Sequence, residues 1–275
     1  MHRKIWEWCY IAQALAERQL LRPGRRGLVF AVGQEPLPAL FAGLGCDILA
    51  TDLDVRRAAA AGWVKTNQHA DSLAQLVRPE LCPLEKFHER VSFRHVDMNQ
   101  IPDDLQGFDF VWSSCSLEHL GSLAHGEQFL YNSLKCLRTG GVAVHTTEFN
   151  VTSNESTPDY RSTVLYRARD IERIAHNLAA CGHTPAQVDL RPGEMPLDRI
   201  VDVPPYVWSP HLKLHYRHNI CTSVGLIVEK RSDAIPVAPR FVTPRPLRAV
   251  LRPWARWLKE RVVLRLPARP QRPAA

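Results

Sequence analysis

The chain has 275 residues, of which 45% are hydrophobic and 23% are charged, and it contains 14 Gly. This composition is typical of a soluble globular protein, and it excludes collagen-like, disulfide-scaffold and wholly disordered chains. The length allows one large domain or two small ones, with a core large enough to stand alone. Seven cysteines without a C-x-x-C pair predict neither a disulfide framework nor a zinc knuckle.

The net charge of +7 is concentrated at the C-terminal end. Residues 231–275 hold 11 Lys and Arg against 2 Asp and Glu, whereas residues 1–230 hold 24 against 26. We therefore expect no nucleic-acid footprint on the folded body. The first 25 residues carry charges throughout and no apolar run reaches 18 residues, which predicts a cytoplasmic protein.

The predicted elements alternate between helices and strands along the chain. Apolar residues at 3.6-residue spacing predict an N-terminal helix over 5–21, within a segment of residues 1–24. Buried-type apolar runs and turn residues predict strands at 27–33, 47–51, 91–95, 108–113, 142–147, 186–190 and 223–229, and helices at 36–44, 126–137 and 168–180. This alternation predicts an α/β fold with a doubly wound, mostly parallel sheet over residues 1–230.

Two segments lie outside this pattern. Residues 191–222, rich in Pro and aromatic residues, are predicted to cover a substrate site. Residues 231–275 hold eight of the 21 prolines and form a basic Pro-rich tail, in which 247–266 has amphipathic helical spacing. The tail is predicted to contact an anionic membrane surface or a partner protein, and a solvated extension is the alternative. No metal is expected, because three histidines at 211, 215 and 218 fit a surface helix better than a metal site.

One spacing points to a ligand site. Gly33 follows the first predicted strand, and Asp52 ends the second, 19 residues later. At the carboxyl edge of a doubly wound sheet, a Gly allows close backbone approach and a carboxylate binds ribose hydroxyls. The alternative is a turn glycine and a solvated aspartate. Three further features follow in order: Asp97 and Met98 after the third strand, Ser114 at the tip of the fourth, and Gly140-Gly141 before the fifth.

These motifs together resemble class I S-adenosylmethionine (SAM)-dependent methyltransferases. The resemblance covers about residues 25–230 and is carried by VGQEPLPALFAGLG, ATDLD, HVDMN, FDFVWSSCSLEHL and LRTGGVAVHTTEF. It implies a Rossmann-like, seven-stranded sheet whose last strand is antiparallel, with SAM as cofactor across the carboxyl edge. It also implies cofactor-binding roles for Gly33, Gln34 and Glu35 at the methionine part, Asp52 and Leu53 at the ribose and adenine, Asp97 and Met98 at the adenine, and Ser114 and Cys115 near the sulfonium.

The first motif departs from the family's usual form. The usual form has an acidic residue on the strand and three glycines after it. Here those four positions hold Val29, Ala31, Gly33 and Glu35, so only one of the glycines is present. SAM carries no pyrophosphate and therefore needs the glycine-rich cradle less than a dinucleotide does. A carboxylate at Glu35 can instead attract the positive amino or sulfonium group.

Methyl transfer to a hydroxyl also requires removal of a proton. His119 and Glu118 are the candidate catalytic residues, and His119 leads because its ordinary pKa suits a base. The alternative is that this Glu-His pair only stabilises the loop and helix. Candidate substrate residues are His145, Glu148, Tyr206 and Trp208.

The predicted function is SAM-dependent methylation, with the methyl group placed on a hydroxyl of a small or glycan-linked acceptor. Aromatic residues beside carboxylates suit the apolar faces and hydroxyl rims of sugars. Two alternatives remain open. One is a binding or scaffold protein of this fold that has lost catalysis and is tethered by its basic tail. The other is an enzyme that transfers a different group from a related nucleoside cofactor.

Overall fold

The structure is a computed structural model that describes residues 2–65, 68–160, 163–191, 193–206 and 209–239. Its α-helices within those ranges are α1 Arg3–Glu17, α2 Leu37–Gly43, α3 Val55–Ala61, α4 Leu84–Arg90, α5 Leu123–Ser133 and α6 Ala168–Ala180. Its strands there are β1 Arg26–Val29, β2 Asp47–Asp52, β3 Val91–His95, β4 Phe108–Ser113, β5 Leu137–Asn150, β6 Thr184–Pro185, β7 Val201–Asp202, β8 Lys213–Tyr216 and β9 Asn219–Glu229. The predicted amphipathic stretch 247–266 and Trp208 lie outside the described residues.

The strands form one sheet in the order β3-β2-β1-β4-β5-β9-β8-β7, with β6 also paired to β9. The first five strands are parallel, and β9 runs antiparallel to β5. The predicted α/β fold class with a doubly wound, mostly parallel sheet is therefore confirmed. The described residues form nine strands, two more than the seven expected. The order of strands reverses between β1 and β4, and such a reversal opens a crevice at the carboxyl edge.

Apolar side chains cover both faces of the sheet. In β4, Val111 packs with the cluster that contains Phe129 of α5 and Ile171 of α6. Its neighbours Phe110 and Trp112 point to the other face, where they join residues of α1 and α2. All six β4 residues are buried. Each large apolar side chain buried in this way stabilises the fold by roughly 1.5–3 kcal/mol, so the central strands provide a rigid base for the loops at their ends.

Local signals explain where several helices begin and end. Asp54 precedes α3 and accepts a hydrogen bond from the Arg56 amide at 3.0 Å, as an N-cap residue does. Gly62 ends α3 with φ of 91°, a conformation that favours glycine. Ser122 caps α5 in the same way as Asp54, by accepting from the His125 amide at 3.2 Å. The short helices α3 and α4 were not predicted.

Five predicted strands differ in their limits: β2 is one residue longer than expected, β9 begins at Asn219 rather than at residue 223, and the other three differ more. β1 ends at Val29 rather than at residue 33, because Ala31 and Gly33 adopt φ of 50° and 53° and leave the extended conformation. β5 continues through Gly140-Gly141 as a single strand, with a shift in its register against β4. The predicted strand at 186–190 is wrong, since β6 ends at residue 185.

The segment around the three histidines is also different from the prediction. Instead of a surface helix, residues 213–216 form β8, which pairs with β9 through Leu214 and Cys221. Positive φ values at Arg217 and His218 make the tight turn between the two strands. No helix among the described residues is both long and apolar enough to cross a membrane.

Candidate functional site

The carboxyl ends of β1, β2, β3 and β4 border a cavity of about 410 Å³. This volume falls in the range of small-molecule sites, roughly 300–1,000 Å³. The predicted site residues that line it are Gly33, Gln34, Glu35, Asp52, Leu53, Asp97, Met98, Ser114, Cys115 and His119. Residues from four separate strand ends, up to 86 positions apart in sequence (33 to 119), thus surround one space.

The Asp52 carboxylate joins the loops after β1 and β2. Its Oδ2 accepts hydrogen bonds from the amides of Gly33 at 2.9 Å and Ala70 at 3.2 Å, and its Oδ1 accepts from the Leu53 amide at 2.7 Å. Burial raises the pKa of Asp52, and these three hydrogen bonds oppose the shift. Because a carboxylate oxygen accepts about two hydrogen bonds, Oδ1 retains one position for a ligand hydroxyl.

A second chain segment covers Asp52. His69 Nε2 lies 2.7 Å from the Leu53 carbonyl, which can only accept, so this nitrogen carries a proton and donates. The same nitrogen lies 3.9 Å from Asp52 Oδ1. On the cavity side, Lys4 Nζ donates to Gln68 Oε1 at 2.8 Å. The segment 68–70 therefore closes one side of the cavity, a role that sequence reasoning missed because these contacts join distant positions.

Asp97 is held by two partners at the end of β3. Arg57 Nη2 donates to Asp97 Oδ2 at 2.6 Å, and the Asn99 amide donates to Oδ1 at 2.9 Å. Met98, the next residue, is buried among apolar side chains and presents part of its surface to the cavity. Met98 therefore provides an apolar surface to the cavity beside the carboxylate acceptor of Asp97.

Glu35 lies deep in the cavity wall. Trp112 Nε1 donates to Glu35 Oε1 at 2.6 Å, and the side chain is almost completely buried. Burial raises the pKa of Glu35 to about 8, against the opposing effect of the Trp112 hydrogen bond. Near neutral pH the carboxyl group therefore holds its proton, and a cation bound nearby would favour its ionised form.

Helix α1 contributes residues that sequence reasoning did not assign to the site. Lys4 and Trp8 line the cavity. Glu7, on the same face, is fully buried and accepts from Ser114 Oγ at 3.4 Å and from the Ser223 hydroxyl. The four-residue spacing of Lys4 and Trp8 places them on one helical face. Charged residues on this face, which is otherwise largely buried, were the sequence signal that could have indicated a role at the site.

His119 lies at the cavity, whereas Glu118 lies behind it. The His119 ring contacts the Trp63 ring at a centroid distance of 4.6 Å, and its Nδ1 is 3.3 Å from Thr163 Oγ1. Its Nε2 is 3.9 Å from Glu118 Oε1, which is too long for a hydrogen bond. Glu118 is completely buried and accepts from Thr147 Oγ1 at 3.0 Å. Burial raises the pKa of the Glu118 carboxyl.

Three of the predicted substrate residues lie elsewhere. The structure does not bring His145 to the cavity. Its imidazole lies in the core, where its two nitrogens are 2.8 Å from Ser113 Oγ and 3.1 Å from Ser133 Oγ. Burial lowers its pKa to about 3, so it is a neutral core histidine. Glu148 is buried beside Arg3, with which it forms an ion pair. Tyr206 does not line the cavity, and its hydroxyl donates to the His215 carbonyl at 2.9 Å.

Comparison with known proteins gives matches of structure alone. No protein-family profile matches the sequence, and no curated protein matches it. The chain is similar to a provisionally assigned sarcosine dimethylglycine methyltransferase from Galdieria sulphuraria, with 15% identity over 67% of this chain and a TM-score of 0.46. It spans 62% of the length of that protein.

Two further solved structures are similar at the same level. One is a magnesium protoporphyrin IX methyltransferase from Synechocystis PCC 6803 with bound SAH, the demethylated product of SAM, at 12% identity over 82% of each chain and a TM-score of 0.45. The other is a 1,6-didemethyltoxoflavin-N1-methyltransferase from Burkholderia thailandensis with bound SAH, at 14% identity over 80% of this chain and 77% of that one, and a TM-score of 0.47. No residue role and no substrate follow from these matches.

Proposed function

We propose that this protein is a SAM-dependent methyltransferase that methylates a hydroxyl group of a small or glycan-linked acceptor. The observation that carries the proposal is the convergence of the predicted cofactor residues from four strand ends on one cavity. The reversal of strand order beside that cavity supports it, since ligands of doubly wound sheets bind there.

The residues present fit the cofactor group by group. Met98 offers an apolar surface for the adenine ring, and Asp97 offers an acceptor to its amine. Asp52 Oδ1 has room for one ribose hydroxyl beside the Leu53 amide. Glu35 supplies a carboxylate for the positively charged methionine end once that charge favours its ionisation. SAM itself supplies a methyl group on a sulfonium, which is already a good leaving group.

The chain's own residues hold the acceptor and accept its proton. Trp8 and Trp63 line the cavity and present ring faces of the kind that sugars pack on, and Ser114 and Ser116 add hydroxyl groups. His119 takes the proton of the acceptor hydroxyl, because its half-buried imidazole lines this end of the cavity and can act as a base.

Calorimetric titration with SAM and SAH tests the cofactor. Asp52→Asn keeps the side-chain volume but replaces an acceptor oxygen with a donor, so we expect a roughly tenfold or greater loss of affinity, ~1.4 kcal/mol or more. Asp47→Asn is the matched control, because Asp47 is exposed at the opposite end of the same strand and pairs with Arg90. Absence of binding to folded wild-type protein would exclude the proposal.

Turnover separates this proposal from its alternative. If SAM binds and no acceptor from a panel of sugars, glycans and phenols becomes methylated, a non-catalytic binding protein is favoured. The altered first motif motivates that alternative, because Glu35 occupies a position that glycine holds in the family. A cytoplasmic location and contact of the basic tail with a membrane or partner protein remain part of the proposal.

A further inference from the structure

We propose that Cys115, Glu118 and Glu148 bind a divalent metal ion of the zinc type beside the cavity. The binding of the ion stands on the geometry of these three residues. Only its catalytic role, activation of the acceptor hydroxyl, rests on the proposed methyltransferase function.

Three ligand atoms converge at one point of the structure. The Cys115 sulfur and one carboxylate oxygen from each of Glu118 and Glu148 lie within 4.8 Å of one another. Ligand atoms around a tetrahedral zinc ion, at bond lengths near 2.0–2.3 Å, are separated by roughly 3.3–3.8 Å. The three side chains therefore need to approach by only about 1 Å to enclose an ion.

Both carboxylates leave one oxygen without a partner although they are buried. Glu118 is 0% and Glu148 is 4% exposed. Glu118 Oε2 accepts from Thr147, and Glu148 Oε1 pairs with Arg3 and accepts from the Cys115 thiol at 3.9 Å. No hydrogen-bond donor among the described residues reaches Glu118 Oε1 or Glu148 Oε2. Buried polar atoms are normally satisfied. Arg3 pairs with Glu148 through Oε1, so these two remaining oxygens are the positions at which a second cation could bind.

The partners of the carboxylates match those of known metal ligands. Carboxylates that bind a metal are held in place by hydrogen bonds to their other oxygen. Thr147 holds Glu118 in this way through a hydrogen bond, and Arg3 holds Glu148 through an ion pair. The Cys115 backbone is fixed in a similar way, since its amide donates to the Thr146 carbonyl at 3.1 Å and to Thr146 Oγ1 at 3.0 Å.

The charge of the cluster also favours a cation. Glu7, Glu118 and Glu148 act electrostatically on Cys115, and Arg3 is the cation that acts with them. These carboxylates would attract a divalent ion, and the ion would in turn favour their ionised forms. The combination of a sulfur with two carboxylates favours zinc or cobalt over magnesium or calcium, which prefer oxygen alone.

The position of the cluster gives the ion a role. Cys115 and its neighbour Ser114 line the cavity, so an ion held by Cys115, Glu118 and Glu148 would lie beside the proposed acceptor. An acceptor hydroxyl bound to that ion would have a lowered pKa. Its proton would pass to His119, the new O–C bond would form as the C–S bond of the sulfonium breaks, and the electron pair of the C–S bond would return to sulfur.

Titration of metal-free protein with Co²⁺ tests the site. We expect one equivalent to bind and to produce the absorption of thiolate-to-cobalt charge transfer. Cys115→Ser should abolish this absorption, and Glu118→Gln should weaken binding roughly 100-fold. Cys181→Ser is the matched control, because Cys181 is also half-buried but lies at the end of α6.

The result that overturns the proposal is equally specific. It is overturned if wild-type protein binds no cobalt, or if the charge-transfer absorption remains in Cys115→Ser. The cobalt spectrum of the wild-type protein still tests the metal site if a variant fails to fold. SAM titration on the same preparations keeps the two proposals separate. If SAM binds and cobalt does not, only the metal-site proposal is excluded. If cobalt binds and SAM does not, only the proposed cofactor is excluded.

Discussion

Trp112 Nε1 donates a 2.6 Å hydrogen bond to Glu35 Oε1, and this contact joins the loop after β1 to the end of β4. The indole is itself fully buried, so the carboxyl group is fixed within an apolar wall of the cavity. A group that prefers to be charged in water is thereby kept where charge is costly. Two measurable consequences follow from its raised pKa.

The first concerns stability. The pKa of Glu35 is about 8 in the folded protein, so the carboxyl group keeps its proton up to that pH, whereas in an unfolded chain it loses the proton near its ordinary pKa of 4.5. The folded state therefore binds more protons in this window, and its stability falls as the pH rises from 4.5 to 8. Glu35→Gln retains an acceptor for Trp112 and should reduce this fall by at most about 5 kcal/mol. Urea unfolding at pH 5 and pH 8 measures it, and equal pH dependence in both proteins would exclude the effect.

The second concerns the ligand. Ionised Glu35 attracts a sulfonium more strongly than a neutral thioether, so the ratio of SAM affinity to SAH affinity should rise as the pH increases from 6 to 9. In Glu35→Gln the ratio should stay constant. SAH shares the amino and carboxylate groups of SAM and so serves as the internal control. A ratio that changes equally in both proteins would assign the effect to another group.

His119, which lines the cavity, and His145, which lies in the core, should respond in opposite ways to substitution. His119→Ala should lower kcat by roughly 10²–10⁴ without changing SAM affinity, because the base lies at the acceptor end of the cavity. His145→Ala should lower the free energy of unfolding by about 2–4 kcal/mol, since it leaves Ser113 and Ser133 without their partner in the core. Steady-state kinetics and denaturant unfolding distinguish them. Retained kcat in His119→Ala would make that residue structural.

Helix α1 depends on a close approach to β9. Gly225 of β9 faces the Tyr10 ring of α1, and a Cβ atom at this glycine would overlap that ring. Gly225→Ala should displace α1, lower stability by roughly 1–3 kcal/mol, and weaken ligand binding because Lys4 and Trp8 move with the helix. Gly24→Ala is a control, since its Cβ meets no atom within 4 Å although its positive φ adds some strain. Limited proteolysis within α1 reports the displacement, and unchanged cleavage would contradict it.

Strands β3 and β4 and helix α6 were predictable because their signals are local. Val91–His95, Phe108–Ser113 and Ala168–Ala180 begin and end where they were expected, since turn residues and apolar spacing mark their limits. The cavity-lining residues after β2 and β3 were predictable for the same reason: each follows a strand directly. Whether these residues bind SAM stays a prediction.

The remaining features depend on contacts between distant positions. β5 is buried over its last ten residues, so its sequence does not reveal which side each residue faces, and His145 was assigned to the wrong one. The amide of Ala70, 18 residues beyond Asp52, satisfies its carboxylate, and no local pattern indicates this. The position of α1 over the cavity likewise depends on packing against β5 and β9 rather than on its own spacing.

The hydrogen bond between Ser223 and Glu7 joins residues 216 positions apart. During synthesis the first helix therefore leaves the ribosome long before the strand on which it packs exists. The cavity acquires Lys4 and Trp8 only after β9 has been made and has joined the sheet. A nascent chain consequently lacks a complete ligand site until β9 has been synthesised, so occupancy of the site reports that α1 and the sheet have assembled.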